Sequence, residues 1–234
     1  MPKVIKKKVA KKTAPTEEEV QDRLENLRES IQERQKTILR YGALVLVIIL
    51  AAASFFFYSS YTAKKAKGLE YDGYKIFYNL SKTPMTSEEQ YQKSLDIFQK
   101  AYATKRSPVS LFYIAACQYE LGRFDDALKS LKEFVGKYSS DKKFIPLAYQ
   151  KMATLYIKKD DFEEAKKTLD TLNALQGDIF KDLALIEYAG ILEKEGKLDE
   201  AKKKYQELTT KYPDSPFSDK AQERLSQMTG KNKG

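Results

Sequence analysis

The residues best suited to chemistry in this chain are one thiol, Cys117, and two neighbouring acid pairs, Asp125-Asp126 and Asp160-Asp161. A cysteine could attack as a thiolate or anchor a metal, and paired acids could divide the general acid and general base roles. Neither has the companions that such chemistry needs. Histidine is absent, which removes the commonest general base and most zinc arrangements, and one cysteine closes neither a disulfide nor a thiolate cluster. Cys117 lies in the apolar stretch FYIAACQY, where it reads as a small buried hydrophobe. The acid pairs fall in turns that open helices, where capping and solvation account for them. No glycine-rich phosphate loop, nucleophile elbow or calcium-loop spacing occurs. The sequence therefore predicts a protein that is not an enzyme, with no catalytic residue, no metal site and no cofactor.

What the chain does carry is positional. Gly42 to Tyr61, GALVLVIILAAASFFFYSSY, holds no charged residue over 20 positions. At helical rise that spans about 30 Å, the hydrocarbon thickness of a bilayer. Tyr41 stands at one edge and Tyr58 and Tyr61 at the other, as residues of the interface do. A cleaved signal peptide would fit Ala51-Ala52-Ala53, but Phe55-Phe56-Phe57-Tyr58 continues the apolar run beyond it. A transmembrane helix is expected over 41–61.

Orientation follows from basic residues. The near flanks almost tie, with Arg23, Arg28, Arg34, Lys36 and Arg40 facing Lys64, Lys65, Lys67 and Lys75. Lys3, Lys6, Lys7, Lys8, Lys11 and Lys12 tip the balance towards a cytoplasmic N-terminus. Residues 1–16 read as a basic flexible tail that contacts anionic lipid. Residues 17–40 read as a charged amphipathic helix, with Thr16 as N-cap and Val20, Leu24, Leu27, Ile31 and Ile38 on one stripe. A short coiled coil or a helix on the membrane surface would each use that stripe, whereas one helix continuing into the span would leave it weakly engaged. The net charge of +9 is spread through interleaved acids and bases, so no nucleic-acid partner is expected.

Beyond the span a pattern repeats. LFYIAACQYELGRFDDALKSLKEF, YQKMATLYIKKDDFEEAKKTLDTL and LALIEYAGILEKEGKLDEAKKKYQEL each place an alanine in a first helix (Ala115, Ala153, Ala189). A polar turn follows, then an apolar residue (Phe124, Phe162, Leu198) and a second alanine three positions later (Ala127, Ala165, Ala201). Small residues belong where two helices of a hairpin approach most closely. This spacing resembles the tetratricopeptide repeat, a pair of antiparallel helices. Gly122 and Gly196 in the turns, Tyr156 late in a first helix and Pro213 at the end of the last copy carry the likeness. The usual tryptophan is replaced by Leu111, Tyr149 and Leu185, and SSDKKF and QGDIFK lengthen the connections.

The expected architecture is thus all-α: an N-terminal transmembrane helix followed by a tetratricopeptide-repeat α-solenoid. A degenerate helical hairpin is expected over 62–107, with Ser94 at the alanine position. Three repeats follow over 108–213, then a capping helix over 214–229 and a frayed terminus over 230–234. The first helices should line a concave groove through Phe112, Tyr119, Gln150, Thr154, Ile157, Ile186 and Glu193, suited to an extended or helical partner segment. The same residues could instead pack against the chain's own terminal helix or the degenerate hairpin.

The whole layout also resembles the bacterial single-pass tetratricopeptide family that includes the ancillary subunit of the Sec translocon, the YfgM-like proteins. That resemblance implies a bacterial inner-membrane protein with a cytoplasmic N-terminus and periplasmic repeats. It also implies Sec translocon subunits, periplasmic chaperones or exported clients as partners, and no catalytic site. An envelope scaffold for cell division or outer-membrane assembly, a holding chaperone, or a cytosol-facing receptor would share the layout.

Overall fold

The structure, a computed structural model, describes residues 16–230 apart from 81 and 83. The basic tail expected over 1–16 lies, except for Thr16, outside the described residues, as do 231–234 of the expected frayed terminus. Among the described residues there are nine helices and no strand. They fall into two compact units divided between Ser60 and Tyr61.

The first unit is helical from α1 (Glu17–Phe77), which starts directly after Thr16 and carries Glu17, Glu18 and Glu19 in its first turn, where the helix dipole favours them. No break separates the charged stretch from the apolar one, because no proline interrupts the run. The boundary expected at residue 40 is one of composition alone. The stripe of Val20, Leu24, Leu27, Ile31 and Ile38 is 42 to 60% exposed. Leu44 to Leu50 and Phe55 to Tyr58 are each more than half exposed. The part of α1 from Thr37 onward is long and apolar enough to cross a membrane.

The second unit begins with the last turns of α1 and continues through α2 (Ser87–Thr104), α3 (Pro108–Glu120), α4 (Phe124–Lys137), α5 (Ile145–Lys158), α6 (Phe162–Ala174), α7 (Lys181–Lys194), α8 (Leu198–Lys211) and α9 (Ser218–Gly230). Helices α3 and α4, α5 and α6, and α7 and α8 pair as hairpins. All six repeat alanines, Ala115, Ala127, Ala153, Ala165, Ala189 and Ala201, are 0% exposed. A larger side chain at any of them would have to push two backbones apart.

The hairpin turns share one hydrogen-bond scheme. Arg123 N–H donates to Gln118 O, Asp161 N–H to Tyr156 O and Lys197 N–H to Leu192 O, at 2.8, 2.9 and 2.8 Å. These are the long bonds of a Schellman turn, which needs one left-handed residue. Gly122 (φ 71°) and Gly196 (φ 75°) supply it in two turns, while Asp160 (φ 55°) does so in the middle one.

The earliest hairpin solves the same problem differently. Gly73 on α1 lies against the ring of Phe98, close enough that an added Cβ would sit 3.0 Å from it. Ser94, fully buried, donates to Gly73 O at 3.0 Å. Helix α2 is started by a capping box in which Thr86 and Glu89 exchange hydrogen bonds. Glu70 ties α1 to the start of α3 by accepting from Ser107 and Ser110.

At the other end α9 begins at Ser218 rather than at residue 214, where the capping helix is expected. Ser215 closes the turn that holds Pro216: its hydroxyl accepts from Phe217 N–H at 3.1 Å and donates to Asp182 on α7 at 2.7 Å. Ala221, Leu225 and Met228 of α9 pack on the core shared by α7 and α8. Cys117 is 0% exposed in the core between α2 and α3, and burial pushes its thiol up to about 12.

Candidate partner-binding cleft

The seven residues expected to line one groove do not stay together. Phe112 is 5% exposed and packs against Phe134 and Phe144 at ring distances of 6.0 and 4.9 Å. The lengthened connection after α4 delivers Phe144 onto it, so Phe112 belongs to the core and offers no groove surface. Glu193 is turned towards α8. Burial and then the Glu193 carboxylate push the Tyr205 phenol up to about 12.

Tyr119 is half-buried between its own hairpin and the next. Its ring meets Phe124 at 5.8 Å, and the Lys151 and Lys158 ammonium groups lie 5.0 and 5.6 Å from its centre. Burial holds the Lys151 ammonium below the usual lysine range. Gln150 and Thr154, one turn apart on α5, are half-buried and hydrogen-bonded to each other at 3.1 Å.

Ile157 and Ile186 do come together. They line a cleft of about 370 Å³ with Leu183, Glu187, Gly190, Ile191, Lys194, Phe217 and Lys220. Its walls come from α5 and α7, the first helices of successive hairpins, and from Phe217 and Lys220 at the start of α9, and an added Cβ at Gly190 would meet nothing within 4 Å. The surface is mostly apolar, with a carboxyl group at Glu187 and two ammonium groups at Lys194 and Lys220.

Glu187 is the unusual member. Its Oε2 is buried with no hydrogen-bond partner. Burial alone pushes its carboxyl up to about 7. Lys194 does not relieve it, since its ammonium lies 5.2 Å from the ring centre of Phe162 on α6. Helix periodicity places Ile157 and Ile186 on one face, but Glu187 carries a sequence signal of its own. It is the one charged residue between Leu183 and Leu192. Phe217 and Lys220 were less legible, because they reach the cleft only through the Ser215 turn.

The arrangement holds no nucleophile beside a base. Comparison with curated proteins finds no match. Solved structures share the fold. A MamA RS-1 double mutant aligns with a TM-score of 0.52 at 10% identity over 72% of this chain and 93% of its own. MamA residues 41 to the end from Desulfovibrio magneticus RS-1 give 0.51 at 12% over 72% and 94%. A structure of nearly identical TPR-like repeats from Podosopora anserina gives 0.54 at 14% over 73% and 88%. The family profile of the tetratricopeptide repeat-like domain matches residues 38–229, far more than half of the chain. With its buried alanine pairs and Schellman turns, this chain belongs to the tetratricopeptide repeat-like family, whose fold is a protein-interaction scaffold.

Proposed function

We propose that this chain is a non-enzymatic adaptor of the bacterial envelope, anchored in the inner membrane by one helix and presenting its repeats to the periplasm beside the Sec translocon. Its partners would be translocon subunits, periplasmic chaperones or newly exported proteins, as in the YfgM-like proteins it resembles. The observation that carries this reading is an open apolar cleft on a tetratricopeptide stack, in a chain whose N-terminal helix holds an exposed apolar stretch of membrane-spanning length. Tethering supports it physically. Confinement beside a partner raises effective concentration, so a weak cleft is occupied without a large interface. The basic residues before the span support a cytoplasmic N-terminus. The apolar helix and basic head would hold membrane lipids as their other partner.

Two linked experiments test it in bacterial cells. Ser140 is exposed in the turn after α4, so Ser140→Cys in a Cys117→Ala background should react in intact cells with a thiol reagent that crosses only the outer membrane. A photocrosslinking residue at Ile157 should then form adducts with translocon subunits, chaperones or exported proteins. Labelling only after inner-membrane lysis would overturn the periplasmic assignment. Adducts confined to cell-division or outer-membrane assembly proteins would replace the export role with that of an envelope scaffold.

A further inference from the structure

The cleft between α5, α7 and α9 is built around an unmet need. Glu187 Oε2 is buried without a hydrogen-bond partner, and the cleft that Glu187 lines is walled by Ile157, Leu183 and Phe217, with Lys194 and Lys220 also on it. An acceptor left unsatisfied in such a place costs about 1–3 kcal/mol, more if it is charged, and that cost is recovered by whatever brings a donor to it. The donor must also bring apolar mass, because the cleft walls are apolar. A long basic side chain has both in one residue, an alkyl stem and a charged head. Hydrogen bonds between charged partners are roughly twice as strong as neutral ones.

We propose that this cleft reads a basic residue, arginine or lysine, in an extended segment of the partner polypeptide. The stem lies against Ile157, Leu183 and Phe217 and the head bonds to Glu187. This rests on the reading of the cleft as a partner site and adds the chemistry it selects. Gly190 supports it, since the missing side chain leaves open space on the α7 wall beside Glu187. Lys194 and Lys220 share the cleft from α7 and α9, while α5 contributes the uncharged Ile157. The Lys194 ammonium lies over the Phe162 ring, and neither it nor Lys220 bonds Glu187 Oε2, which leaves that atom for an incoming cation. Burial raises the carboxyl to about 7, and the cation binds its ionised form. Affinity should therefore grow about tenfold between pH 6 and pH 8, as the ionised fraction does.

The test uses the full chain in lipid nanodiscs and two rhodamine-labelled nine-residue peptides that differ only in a central arginine or citrulline flanked by leucines. Fluorescence anisotropy reads binding. The arginine peptide should bind at least tenfold more tightly than the citrulline peptide at pH 8, and Glu187→Gln should erase that difference. Gly190→Met, which fills the cleft and leaves Glu187 in place, should weaken both. Equal binding of the two peptides to the unmodified chain, still blocked by Gly190→Met, would overturn the basic-residue inference and leave the partner site standing. Peptide binding that ignores Gly190→Met, or no binding of either peptide, would overturn both. If Glu187→Gln does not fold, the peptide comparison on the unmodified chain decides the matter alone.

Discussion

Replacing Glu187 by glutamine should stabilise the repeat array in mild alkali and change it little in mild acid. Burial pushes this carboxyl up to about 7 from its ordinary 4.5, so the folded chain holds the proton more tightly than the unfolded chain. Between those values the folded state binds more protons, and stability must fall as pH rises through the window. At about 1.36 kcal/mol per pKa unit, the loss approaches roughly 3 kcal/mol above pH 8. Glutamine has nearly the same shape and cannot ionise, so it keeps the cost of a buried polar group and removes only the cost of charge. For an array of this size, roughly 3 kcal/mol corresponds to about 6–12 °C in Tm. Far-UV circular dichroism melts of the full chain in neutral detergent, taken from pH 5 to pH 8.5, read the effect directly. The two proteins should differ least at pH 5, where the ionisation cost is still below about 1 kcal/mol, and diverge with pH, the glutamine variant melting higher. Parallel curves across the whole range would show that Glu187 is solvated or paired in solution and would refute the reasoning from its burial.

Asp160→Gly should raise the urea midpoint by an amount equivalent to about 0.5–1 kcal/mol, because Asp160 occupies at φ 55° the left-handed position that glycine fills in the neighbouring turns. Gly196→Val should do the reverse, losing about 1–2 kcal/mol in the same assay. Ala153→Leu should cost about 1–3 kcal/mol, since Ala153 is fully buried where α5 meets α6; a thermal melt unchanged within a degree would contradict that close packing. Cys117 should resist maleimide at pH 7.5 in the native chain and react fully in urea, because its thiol is buried and pushed up to about 12.

The repeated hairpins were readable because their alanines recur at a constant offset inside each copy and at similar steps between copies. Ala115, Ala153 and Ala189 all arrive at helix crossings for that reason. The first hairpin was half legible. Ser94 is at the close approach, but its partner is Gly73, which no overlay aligns, since the loop from Tyr78 to Thr86 stretches the spacing between them. The cleft was legible only where helix periodicity decides which side is open. Ile157 and Ile186 follow that rule. Phe112 and Glu193 do not, because a residue from a distant connection, Phe144, and a tyrosine on a facing helix, Tyr205, claim them. Those claims depend on tertiary packing that a single helix does not encode.

Helix α7 serves two cores: Ala184 and Ile191 belong to the one built with the preceding helices, Leu185 and Ile186 to the one completed by α8 and α9. In a linear stack each element leans only on its neighbours, so the last two helices can open while the middle of the array remains closed. Amide hydrogen exchange should accordingly be fastest at α9 and slow sharply at α7. Because Phe217 and Lys220 sit on this loosest segment, an occupant of the cleft would act as a clasp on the end of the array, and its arrival would be visible as slowed exchange in α9 long before any change reached α3 or α4.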